Sequence, residues 1–146
     1  MASGLIVAEP EAAYARRPRR VIDSSVFVAW LFGEPRCDEA QALIEGWQLA
    51  APQILDYEIA NAGMNKLRRK ALPANTVEAV LDRFAAIEIE RYVLNPVALF
   101  AMASRYDLSA YDAAYLLLAE QLAAPLVTFD EKLGRAANQH FAIDQS

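Results

Sequence analysis

At 146 residues and 55% hydrophobic composition, the chain matches a single domain that can bury a core without disulfides or structural metal. Cys37 is the only cysteine and His140 the only histidine, which excludes an internal disulfide, thiolate zinc sites and metal sites built from several imidazoles. The net charge of -5 and pI ≈ 4.9 argue against a protein that grips nucleic acid mainly through a broad basic face, but not against an acidic pocket that recruits divalent cations for an anionic substrate.

The first 19 residues, with Pro10 and Pro18, read as a loosely ordered extension, and residues 20–146 as the domain. The apolar run Leu5-Ile6-Val7-Ala8 is too short for a signal peptide and is followed by Arg16, Arg17, Arg19 and Arg20. No apolar run approaches the ~20 residues of a membrane span, so a cytoplasmic protein is expected.

After Pro18, short apolar strands alternate with longer helical patterns, which predicts a parallel sheet covered by helices on both faces. Residues 20–23 form a strand, and Ser24-Ser25 opens a helix over 26–32 that stops near Gly33. A second helix over 39–47 carries Ala40, Leu43, Ile44 and Trp47 at helical spacing. Residues 49–52 read as a strand ended by Pro52, and 54–70 as a helix whose cationic end, Lys66 to Lys70, suits the helix dipole. Pro73 starts a helix to about 86, and 87–92 alternates as a strand. Pro96 fits the first turn of a helix to 106, and Ser109-Ala110-Tyr111-Asp112 resembles a capping box, with Asp standing where Glu is usual, that opens a helix to about 122. Residues 125–129 form a strand, Asp130 begins a short final helix, and Phe141-Ala142-Ile143 reads as a last edge strand.

In open parallel sheets, ligands bind beyond the carboxyl ends of the strands. Asp23 and Asp130 each follow a strand there. Glu58 and Asp112 stand out by helical arithmetic, since Ile54-Glu58-Ala62 and Leu108-Asp112-Leu116 place each acid in an apolar line with no Lys or Arg to pair it. A lone carboxylate turned toward a core costs several kcal/mol unless paired or protonated, and a shared oxygen-bound cation, Mg²⁺ or Mn²⁺, relieves that cost. Such a centre suits phosphodiester hydrolysis and needs neither histidine nor cysteine. Each acid also has a plainer reading. Asp23 and Asp130 could cap the helices that follow them, Asp112 could reciprocate the Ser109 cap, and Glu58 could reach the rim of its helix.

The stretches Val21-Ile22-Asp23-Ser24-Ser25-Val26, Pro52 through Glu58-Ile59-Ala60-Asn61, Leu108-Ser109-Ala110-Tyr111-Asp112-Ala113-Ala114-Tyr115 and Pro125-Leu126-Val127-Thr128-Phe129-Asp130 resemble, in order and spacing, the PIN-domain ribonucleases, and within them the VapC-type toxins of toxin–antitoxin pairs. The resemblance covers about residues 20–143. It implies an α/β fold, a three-layer α/β/α domain with a central parallel sheet, Mg²⁺ or Mn²⁺ dependence and endonucleolytic cleavage of RNA. It implies that Asp23, Glu58, Asp112 and Asp130 are the acidic site positions, with Asp23 and Asp112 as direct metal ligands, Glu58 and Asp130 acting through metal-bound water, and Thr128 in support. Ser24 and Asn61 are candidate donors that orient carboxylates, with local capping the favoured role for Ser24. A homodimer and a cognate antitoxin that blocks the site are further implications.

Lys66, Arg68, Arg69 and Lys70, with Arg105, Lys132 and Arg135, could line a groove for single-stranded RNA, but a solvated helix end explains the run as well. Trp30, Tyr57, Tyr111 and Tyr115 read as core rather than as base-stacking platforms. The rival function is a PIN-like binding module acting only through a protein partner. A phosphoryl-receiving domain would want an acidic pair early and a lysine near residue 128, where Thr128 stands, and a haloacid-type hydrolase would want a second Asp at position 25, which is Ser25.

Overall fold

The computed structural model describes residues 18–144. The expected extension therefore lies outside the described residues except at its end, where Arg19 already belongs to the first strand. The chain runs β1 (Arg19–Ile22), α1 (Ser24–Leu31), α2 (Cys37–Ile44), β2 (Gln48–Pro52), α3 (Ile54–Arg68), α4 (Ala74–Ala85), β3 (Ile89–Tyr92), α5 (Pro96–Tyr106), α6 (Ala110–Leu122), β4 (Leu126–Val127) and α7 (Glu131–Asp144).

The strands form one parallel sheet in the order β3-β2-β1-β4. The chain moves outward from β1 to β3, then returns past β1 to place β4 on its other side. Because parallel crossovers are right-handed, this reversal puts α1 to α4 on one face and α5 and α6 on the other, giving the three expected layers. α7 packs against α6. Val21 and Ile22, which point to opposite faces of β1, are both fully buried. The reversal also opens a crevice beyond the carboxyl ends of β1 and β4, where open sheets bind their ligands.

Local chemistry sets most boundaries. Asn95 caps α5 by accepting from the amides of Val97 (2.8 Å) and Ala98 (3.1 Å), with Pro96 in the first turn. Ser109 caps α6 by accepting from the Asp112 amide at 3.0 Å. Gly46, at φ +81, lies in the turn after α2, so that helix stops at Ile44 and Trp47 falls outside it, short of the boundary its apolar spacing predicts. Gly63 is needed for a close approach: a Cβ there would lie 2.7 Å from Cγ1 of Val77, across the α3–α4 contact.

The expected edge strand over 141–143 does not form. Those residues continue α7, which is long rather than short. Leu133, Ala136, Ala137 and His140 are all buried at helical spacing, so one apolar face extends through the position where three apolar residues suggest a strand. His140 completes that face, with Nδ1 2.6 Å from the Tyr106 hydroxyl and Nε2 3.2 Å from Glu120. No helix among the described residues is long and apolar enough to cross a membrane.

Candidate active site

Asp23 follows the last residue of β1, and its amide donates to the carbonyl of Val127 at 2.9 Å. This bond joins the ends of β1 and β4 and brings Thr128 beside Asp23. Asp23 is only 3% exposed. One oxygen, Oδ2, accepts from the Ser25 hydroxyl (2.5 Å), the Thr128 hydroxyl (2.9 Å) and the Ser25 amide (3.3 Å). The same two hydroxyls accept from the backbone of the chain leaving β4: Ser25 Oγ from the Phe129 amide and Thr128 Oγ1 from the Asp130 amide, both at 3.0 Å. Asp23 therefore caps α1 and also faces the crevice. Saturation of Oδ2 leaves Oδ1 to meet whatever the cleft binds.

Glu58, half-buried on α3, accepts a 2.6 Å hydrogen bond at Oε1 from the hydroxyl of Tyr115 on α6. Burial raises the pKa of Glu58; bonds from Tyr115 and Ser24 partly offset the rise, while the charges of Asp23 and Asp112 add to it. Asp112, in the first turn of α6, is raised by burial and then by the charges of Asp23 and Asp130, with Ser109 and Lys132 opposing. Burial first, then the Glu58 charge, drive the Tyr115 phenol far above its ordinary range, so it remains a proton donor to Glu58. Asp130 is exposed at the crevice rim, and its Oδ1 accepts from the Leu133 amide at 2.8 Å, capping α7.

Asp23, Glu58, Asp112 and Asp130 thus come from four separate parts of the chain into one cleft of ≈ 770 Å³. Among the described residues, no ion pair engages any of the four. Their carboxylates fit an oxygen-preferring divalent cation. No three His, Cys, Asp or Glu side chains among the described residues close on a common metal position. The acids surround an open cleft rather than forming a finished cage, which suits an ion that keeps several waters.

Thr128 stands beside Asp23, and Ser24 sits close enough to Glu58 and Tyr115 to lower the pKa of each, while Asp23 makes the cap. Asn61 lines the cleft. Tyr115 is fully buried, as a core residue should be, but Tyr57 and Tyr111 are 69% and 62% exposed, against expectation. Ser25, Tyr115 and Arg36 are site neighbours that the sequence reading did not single out. The signal for Ser25 is its position two residues after an acid at a helix start. The signal for Tyr115 is a polar tip one turn after Asp112, inside the buried run from Ala113 to Ala119. Arg36 has none, because its place in the cleft is set by tertiary packing.

The PIN domain family profile matches residues 20–139. Ribonuclease VapC9 of Mycobacterium tuberculosis is 35% identical over 115 residues, covering 77% of this chain and 87% of the relative. Ribonuclease VapC3 of the same organism is 32% identical over 124 residues, 84% of this chain and 90% of the relative. Ribonuclease VapC3 of Pyrobaculum aerophilum is 30% identical over 118 residues, 77% and 90%. The crystal structure of PAE2754 from Pyrobaculum aerophilum shares the fold, with a TM-score of 0.66 at 20% identity over 88% of each chain. The chain belongs to the PIN-domain family and, within it, to the VapC ribonucleases.

Proposed function

We propose that this protein is a divalent-metal-dependent endoribonuclease, the toxin of a toxin–antitoxin pair, with Asp23, Glu58, Asp112 and Asp130 as its catalytic and metal-holding residues and Mg²⁺ or Mn²⁺ as the ion. The observation that carries the reading is that four carboxylates share one cleft, two of them with raised pKa values, with no ion pair to any of them among the described residues. A bound divalent ion lowers the pKa of a water and neutralises charge on the phosphoryl group under attack.

The chain's own residues position that chemistry. Asp23 presents Oδ1 to the cleft because Ser25 and Thr128 hold Oδ2. Asp112 would hold the ion directly beside Asp23, while Glu58 and Asp130 would act through its water. Tyr115 restricts the rotamer of Glu58 by holding Oε1.

RNA cleavage that requires Mn²⁺ or Mg²⁺ and stops with EDTA tests the activity, and sequencing the 5′ ends of RNA fragments after brief induction identifies the target. A PIN-like binding module acting only through a partner would show no saturable Mn²⁺ site by calorimetry. Tyr115→Phe keeps the ring packing and removes one hydrogen bond to a metal-orienting acid. It is expected to weaken Mn²⁺ binding by about tenfold and stability by ~1 kcal/mol. Unchanged Mn²⁺ affinity in calorimetry would show that Tyr115 only fills space.

The proposal includes a cytoplasmic setting, a cognate antitoxin that covers the cleft, and a homodimer. The homodimer is supported by an apolar surface on the segment joining β3 to α5, on α5 and at the start of α6. There Val93, Val97, Phe100 and Tyr111 are each at least 62% exposed, beside a hollow of ≈ 240 Å³ that Val93 and Tyr111 help to line. Patches of this kind mark interaction surfaces. Sedimentation of Phe100→Glu against wild type tests it, and a wild-type monomer at micromolar concentration would refute it.

A further inference from the structure

The cleft poses an electrostatic problem for an anionic substrate. Asp23, Glu34, Glu58, Asp112 and Asp130 line it, and among the described residues Arg36 is the only cation in its lining. The Lys66 ammonium lies 3.0 Å from the Glu34 carboxylate and is committed to it. A bound metal offsets part of the negative charge at the acids themselves, but the phosphates flanking the scissile one still need a cation beside the cleft.

Arg36 is built in a way that ordinary surface arginines are not. Nε and Nη2 both donate to the Glu39 carboxylate at 2.9 Å, a two-point fork that fixes the plane of the guanidinium. The guanidinium carbon, Cζ, lies 3.6 Å from the ring centroid of Phe129, the residue between Thr128 and Asp130. Nη1 has no partner among the described residues, and the side chain is 51% exposed. The fork and the stack together reduce the rotamer entropy that a free arginine would lose on gripping a ligand. A helix-surface pair of the Arg36–Glu39 kind is ordinarily worth little for stability, so stability does not explain a guanidinium also stacked on the strand end that carries the site.

We propose that Arg36 is a substrate-binding residue of the ribonuclease, whose Nη1 holds a phosphate of single-stranded RNA next to the one cleaved, with Glu39 and Phe129 keeping the guanidinium in place. This rests on the ribonuclease reading and adds to it a specific RNA contact on the β4 side of the cleft.

The test compares wild type, Arg36→Ala and Arg36→Lys with a single-stranded RNA substrate in Mn²⁺. Arg36→Ala is expected to raise KM about tenfold with kcat within about twofold. It should also reduce the slope of log(kcat/KM) against log[salt] by about 0.7, the loss of one phosphate contact. Mn²⁺ affinity of the free protein, measured by calorimetry, should equal that of wild type. Arg36→Lys keeps the charge without the fork or the stack, so it should restore the salt slope and only part of KM. A wild-type KM and salt slope in Arg36→Ala would overturn the assignment, as would a parallel loss of Mn²⁺ affinity. Full recovery of KM by Arg36→Lys would overturn the held geometry. If wild type cleaves no RNA with any divalent ion, the ribonuclease reading itself fails; if wild type cleaves and Arg36→Ala is indistinguishable from it, only the Arg36 contact fails.

Discussion

Asp23→Asn is expected to lower RNA cleavage by about a hundredfold or more, at least ~2.7 kcal/mol of transition-state stabilisation, and to leave the fold intact. The hydrogen-bond pattern explains both halves. The Ser25 hydroxyl and amide and the Thr128 hydroxyl all donate to Oδ2, and an asparagine carbonyl oxygen can take that place and keep all three bonds. The amide nitrogen then occupies the position of Oδ1 and turns N–H donors toward the cleft, where a cation meets no lone pair. The loss falls on metal binding and catalysis, because the capping contacts of α1 survive. Activity assays beside thermal melts in EDTA check it: cleavage should vanish while Tm stays within about 5 °C, the shift of ~1 kcal/mol in a domain of this size. Cleavage at the wild-type rate would remove Asp23 from the active centre, and a collapsed Tm would assign it a structural role.

Glu58→Gln is expected to reverse its effect on stability according to whether metal is present. Burial, with the repulsion of Asp23 and Asp112, holds the folded pKa of Glu58 above its ordinary value. The folded chain therefore keeps a proton that the unfolded chain has already released, and stability falls as pH rises from the ordinary glutamate range through the folded pKa. In EDTA at pH 7.5, well above the ordinary glutamate range, the wild type carries the cost of holding Glu58 in a site that disfavours its charge. Glutamine carries none and can still accept from Tyr115, so Glu58→Gln should melt higher, on the order of 3 °C. The gap should close as pH falls toward 4, where Glu58 is protonated in both states. With saturating Mn²⁺ the order should invert, because a ligand at a hundred times its Kd stabilises the wild type by ~2.7 kcal/mol and the glutamine variant has lost part of the site. Melting curves over pH with and without Mn²⁺ check this. Superimposable curves for the two proteins in EDTA would mean that Glu58 bears no strain in the metal-free cleft.

Asp112 follows the same sign, since burial and the charges of Asp23 and Asp130 also raise its pKa. The metal-free protein is thus expected to gain stability as these two acids take up protons, and divalent ions to stabilise it more at pH 7.5 than at pH 5. Proton and metal compete for the same oxygens.

The acids at the strand ends and those at helical spacing were visible in the sequence because each breaks a local rule. Glu58 and Asp112 interrupt apolar lines, and Asp23 follows an apolar strand. Strand and helix order was equally visible, since periodicity depends on neighbours in the chain. The edge strand expected over 141–143 failed for the complementary reason. Three apolar residues satisfy either period, and the packing of Leu133, Ala136, Ala137 and His140 against the rest of the molecule decided for helix. Capping does not exclude a place in the cleft: Asp23 and Asp130 cap helices and also line it.

What the sequence determined by itself was a parallel α/β frame and the exclusion of sites built from several imidazoles or thiolates, since the chain has one histidine and one cysteine, which leaves carboxylates as the candidate donors. What only the tertiary structure decided was how the donors are held. The reversal of strand order beside β1 brings Ser25, separated by 103 positions from Thr128, to the same oxygen of Asp23. The placing of α3 and α6 on opposite faces of the sheet, with both reaching the cleft, delivers Tyr115 to Glu58 across 57 positions. The turn before α2 sets Arg36 on Phe129. Contacts between residues so far apart depend on crossover handedness and helix packing, and no local spacing in the chain records either.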